Sequence, residues 1–164
     1  MTDIPRLPNS SSDPLPPDHL SPIHLSPENE RSLKTLLRTI ELTRGSESMM
    51  KLVRCNYVAL RSQVIQRLKQ DCPVEIQELW LEPFTSTLTE AIATAQTANS
   101  SNTNAVLSVQ GIEQVTALDD FLAAANRSRD SLQQHLALPV ILWVTNDVVE
   151  RMIRIAPDLW NFIS

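Results

Sequence analysis

Pro139-Val140-Ile141-Leu142-Trp143-Val144 is a short, unbroken apolar run. It is too short for a typical helix, and it lacks the polar alternation of a strand with one wet face. Such a run reads as a central strand of a parallel sheet covered on both sides. The stretches around it carry helical spacing. Upstream, Leu118, Phe121, Leu122, Ala125, Leu132 and Leu136 predict the longest helix of the chain, with Thr116 and Asp119 placed like a capping box. Downstream, Val148, Val149, Met152 and Ile155 predict a helix over about 147–155 that Pro157 ends.

The same alternation continues toward the N-terminus. Ala105 to Val109 reads as a strand broken by Gly111, and the Ser/Asn/Thr-rich run 97–104 before it reads as a loop. Leu88, Ala91, Ile92 and Ala95 give a helix capped near Ser86 or Thr87. Val74 to Leu81 reads as a strand set off by Pro73. Tyr57, Leu60, Val64 and Leu68 share a helical face behind a cap at Asn56, and Met49 to Cys55 reads as the first strand. Ahead of it, Ser26, Pro27 and Glu28 form a helix start, Leu33, Leu36, Leu37 and Ile40 an apolar face, and Gly45 a stop.

Strands alternating with helices predict a three-layer α/β sandwich: about four mostly parallel strands, with helices on both faces. Residues 1–26 are dense in Pro, Ser and Asp and read as a disordered tail, either a linker or a short polyproline docking motif; residues 27–164 form the domain.

Composition narrows the function. The formal net charge of -5 argues against a nucleic-acid partner. Two cysteines, Cys55 and Cys72, make no disulfide framework and point to a reducing, cytoplasmic setting. With His19, His24 and His135 scattered, they make no zinc site either. No apolar run reaches the length of a membrane span.

In a parallel α/β sheet, ligands bind beyond the carboxyl ends of the strands. A phosphate cradle there needs glycines and a lysine. The turn after the first strand instead reads Arg54-Cys55-Asn56-Tyr57-Val58-Ala59-Leu60-Arg61, and the chain holds only Gly45 and Gly111. Tyr57, Val58 and Leu60 are expected to fill the space a phosphate would take. Glu113, after the third strand, reads either as a metal-holding acid or as an exposed carboxylate near a helix start. Arg129 falls on the apolar spacing of Leu122, Ala125 and Leu132; it either reaches a carboxylate such as Glu113 or Asp130, marks a contact face, or lays its stem along the helix. Trp160 and Phe162, after Asp158, either anchor a final turn or form an exposed apolar docking edge.

Taken together, Leu52 to Asn56, Ala59 to Arg61, Gly111 to Glu113, Asn126 to Asp130, Pro139 to Val144 and Ala156 to Trp160 resemble bacterial, often cyanobacterial, P-loop-ATPase-like domains of the STAND signalling type, which precede tetratricopeptide or WD repeats. The resemblance spans about residues 30–164. It implies an ATP-responsive switch in which the turn from Asn56 to Arg61 meets the phosphates, Glu113 takes the acidic position, and Asn126 and Arg129 take the Asn and Arg of the following helix. It also implies that the domain continues past residue 164. With no glycine or lysine in the turn, the expected function is a non-catalytic regulatory or protein-interaction module with no cofactor, partnered by a protein or a repeat domain. The alternative is an ATP- and magnesium-binding switch whose non-standard site comprises Arg54, Asn56, Arg61, Glu113, Asn126 and Arg129.

Overall fold

A computed structural model of the chain describes residues 23–43, 49–99 and 101–163. Four strands form one parallel sheet: β1 (Met50–Arg54), β2 (Glu75–Trp80), β3 (Ala105–Gln110) and β4 (Val140–Val144), in the order β1-β4-β3-β2. Helices α1 (Pro27–Leu42) and α2 (Val58–Asp71) cover one face. Helices α3 (Leu88–Ala98), α4 (Leu118–Arg127), α5 (Arg129–His135), α6 (Asn146–Ile155) and α7 (Pro157–Ile163) cover the other. The three-layer α/β sandwich expected from the pattern is therefore the fold.

Crossover handedness accounts for this division. The chain runs from β1 at one edge to β2 at the opposite edge, then steps back through β3 and β4 toward β1. Right-handed crossovers that travel in opposite directions along a sheet lie on opposite faces. Hence α2, which carries the outward journey, sits alone with α1, and all later helices gather on the far side.

Strands β3 and β4 are buried at every residue. Along β4, Val140, Leu142 and Val144 face the α3–α7 layer, while Ile141 and Trp143 face α1 and α2. Each such side chain contributes about 1.5–3 kcal/mol of burial, so the central position of the 139–144 run follows from its composition. Within that layer, Trp143 donates its Nε1–H to Ser108 Oγ at 2.9 Å, both groups being buried.

Helix α1 starts as the sequence predicts. Ser26 accepts from the Asn29 N–H at 3.2 Å, Pro27 occupies the first turn, and Leu33, Leu36 and Ile40 are buried. The tail boundary falls earlier than predicted. Arg67 donates to the Ile23 carbonyl at 2.9 Å, and Leu25 packs against the α1–α2 core, so residues 23–26 join the domain. The tail before residue 23, His19 and Gly45 lie outside the described residues.

Two further expectations change, and two are refined. The long helix is two helices meeting at Ser128, whose hydroxyl hydrogen-bonds Thr89 Oγ1 of α3 and the Ala124 carbonyl. No Thr116 capping box forms; the Thr116 N–H donates instead to the Pro83 carbonyl, and Ala117 takes the cap position. Pro157 ends α6 but also begins α7, consistent with proline's tolerance at a first helical position. Trp160 and Phe162 are half-buried against the main core, with Leu159 and Ile163 buried beside them, so they form an anchored final helix rather than an exposed edge.

Candidate functional site

Where neighbouring strands send their following connections to opposite faces, a crevice opens beyond their carboxyl ends. Here those strands are β1, which leads to α2, and β4, which leads to α6. Three segments converge on the crevice: residues 54–57 after β1, residues 144–146 after β4, and the 3-10 turn Ile112–Gln114 after β3.

Gly111 sets the direction of that turn. Its φ is +87°, and a Cβ there would lie 2.8 Å from the Leu81 carbonyl oxygen. Any other residue would be strained and would collide with the backbone. The resulting bend carries Glu113 back toward α2, where its Oε1 accepts from Arg61 Nη1 at 2.7 Å. Arg61 Nη2 donates to the Cys55 carbonyl at 3.0 Å, tying the pair to the end of β1. Arg61 is 1% exposed and Glu113 22%. Arg61 Nε and Glu113 Oε2 are buried with no partner among the described residues.

Asn56 does not cap α2. Tyr57 occupies that cap position without a side-chain hydrogen bond, and Asn56 Oδ1 reaches across the crevice to accept from the Asn146 N–H of α6 at 2.7 Å. Thr145 accepts from Val148 N–H in the same first turn. The two strand ends are thus stapled to each other through a side chain from β1 and the backbone that follows β4.

Tyr57 and Val58, expected to fill the phosphate space, are instead 73% and 59% exposed. The inward face of α2 is Arg61, Ile65 and Leu68, so the guanidinium of Arg61 takes the interior position. Arg54 is exposed beside Cys55, at the mouth of a cavity of about 150 Å³ floored by Leu33, Leu36, Val64 and Trp143.

Asn126 and Arg129 do not join this crevice. They stand among the helices of the opposite face, gathered on Asp158. Asn126 Oδ1 accepts from the Leu159 N–H at 2.9 Å, and its Nδ2 donates to Asp158 Oδ2 at 3.3 Å. Arg129 pairs with Asp130 at 2.8 Å and lies 3.9 Å from Asp158, so its carboxylates are these and not Glu113. Their work is to hold the start of α7. Arg151 closes the same layer by hydrogen-bonding Asp119 of α4, a bond that, with the nearby Asp147 charge, pushes the Arg151 pKa up.

Of the six residues singled out from sequence, the structure brings Arg61 and Glu113 into contact and sets Asn56 and Arg54 beside them, while Asn126 and Arg129 stand apart. The pairing itself was missed. Its signal was the helical spacing of Arg61 with Ile65 and Leu68, which puts a charge on the buried face. Among the described residues no cluster of acidic, histidine or cysteine side chains could hold a metal ion, and no helix is long and apolar enough to cross a membrane. Comparisons of the chain with protein-family models, characterised proteins and solved structures return no match.

Proposed function

We propose that this chain is a non-catalytic regulatory or protein-interaction module, built like the core of a signalling P-loop ATPase of the STAND type but without a working phosphate loop, and operating in the cytoplasm. The observation that supports this reading is the Arg61–Glu113 pair, drawn onto the Cys55 carbonyl beyond the carboxyl ends of the strands. In that place a nucleotide-binding protein needs open backbone N–H groups and a free cation. Here the buried cation is already neutralised by the chain's own carboxylate. The crevice is also crossed by the Asn56–Asn146 hydrogen bond.

A second reading is an ATP-responsive switch in which a triphosphate displaces Glu113 from Arg61. Its support is the unpartnered Arg61 Nε and the absence of a side-chain cap on α2. Thermal denaturation with ATP and magnesium, repeated with ADP and with GTP, separates the two. A nucleotide present at 100 times its dissociation constant stabilises a fold by about 2.7 kcal/mol, which raises the midpoint by roughly 5–10 °C in a domain of this size. The scaffold reading expects no shift with any of the three. A saturable shift abolished by Arg61→Gln would overturn it in favour of the switch.

A further inference from the structure

We propose that the open edge of β1, with the flank of α1 beside it, is a docking strip for an extended acidic segment of a partner protein. The inference rests on the reading of the chain as an interaction module, and it names the surface used.

Among the described residues, strand β1 pairs on one side only, with β4. In a parallel ladder each residue turns both its backbone groups to one side, alternating along the strand. The Met49 carbonyl accepts from Val140 N–H and the Cys55 N–H donates to the Val144 carbonyl, so the odd-numbered residues between them face β4. The N–H and C=O groups of Leu52 and Arg54 therefore point away from β4, and Leu52 lines a groove of about 380 Å³ between the strand and α1. Free groups at every second residue match the backbone of an added strand, the geometry by which sheet edges take up extended peptides.

Charge selects the occupant. Arg31 on α1 and Lys51 on β1 line the groove, which meets the 150 Å³ cavity through the shared Ser32, Leu36 and Val53. Arg38, two turns along α1 from Arg31, extends the row. Arg31, Arg38 and Lys51 have no ion-pair partner among the described residues, so their charges are open to a ligand. In a chain of net charge -5, unpaired cations beside an open strand edge suit an acidic occupant. An extended segment places alternate side chains on one side. Acidic residues at every second position would meet α1, and one apolar side chain would enter the cavity over Leu33 and Trp143. A second copy of this chain fits poorly, because pairing two β1 edges brings the cationic flanks of both copies together. A nucleic acid has no backbone groups to complete the ladder.

The test is selection of random twelve-residue peptides, displayed on phage, against the full chain, followed by affinity measurement with the enriched peptides as synthetic probes. The expected outcome is enrichment of peptides with Asp or Glu at alternate positions, and hydrogen-exchange protection of the Leu52 and Arg54 amides on binding. Affinity should fall at least tenfold with Arg31→Glu plus Lys51→Glu, and likewise with a probe N-methylated at alternate amides. The methylated probe keeps the test decisive if the double variant folds poorly. Enrichment of peptides without acids, equal binding of the methylated probe, displacement by oligothymidylate, or no enrichment at all would overturn the proposal. A nucleotide-induced thermal shift bears only on the scaffold reading, so the two can fail separately.

Discussion

The two faces of the sheet solve burial differently. Among the described residues, the α3–α7 face packs twenty-three buried apolar side chains, and its charged groups stay at the rim, as with Arg151 to Asp119 and Arg129 to Asp130. The α1–α2 face packs ten, and it carries three of the four buried polar residues found among the described ones: Arg61, Ser108 and Gln110. With fewer apolar side chains to contribute, this face depends more on partnered polar groups. A polar group buried without its partner costs more than the made bond contributes. The smaller face is therefore the one where single substitutions do the most damage, and it also carries the crevice and the open strand edge.

The sharpest way to break this contrast is Arg61→Ala. It leaves Glu113 facing a buried hole, and the loss in urea-denaturation stability is expected at about 3 kcal/mol, the low end for a broken buried pair because Glu113 is partly exposed. Arg61→Met combined with Glu113→Leu should recover most of that loss, since apolar replacement of both partners is often near neutral. A double variant as unstable as the single one would show that the pair is not the source. Next in size is Trp143→Phe, which removes the donor to Ser108 Oγ and is expected to cost about 1–3 kcal/mol in the same assay. On the opposite face, Arg129→Ala should cost less than about 1 kcal/mol, because its ion pairs are solvent-exposed. A larger loss there than at Trp143 would erase the distinction between the faces.

What could be read from the sequence was what local chemistry decides. The 139–144 run declares a doubly covered strand because all of its side chains are apolar. Ser26 and Thr87 declare helix starts because each cap bonds an N–H three residues on, at Asn29 and Glu90. What escaped depends on residues distant in sequence. The break at Ser128 is fixed by Thr89 of another helix. Asn56 looks like a cap for the helix beside it and serves the one that follows β4. Helix α7 exists because Asn126 supplies its first turn with an acceptor. Arg61 is buried because Glu113, fifty-two residues away, and the Cys55 carbonyl receive it. In the candidate site, then, residue types were legible and pairings were not.

The position of β4 between β1 and β3 has a consequence for synthesis. As the ribosome releases the chain, β2 and β3 can zip together early, but β1 meets its partner strand ninety residues later, when β4 emerges. Until then the α1–β1–α2 unit has no sheet to lie on. Long-range parallel pairing is slow to form, so the first layer of the nascent chain stays unattached until β4 has been made and has reached it.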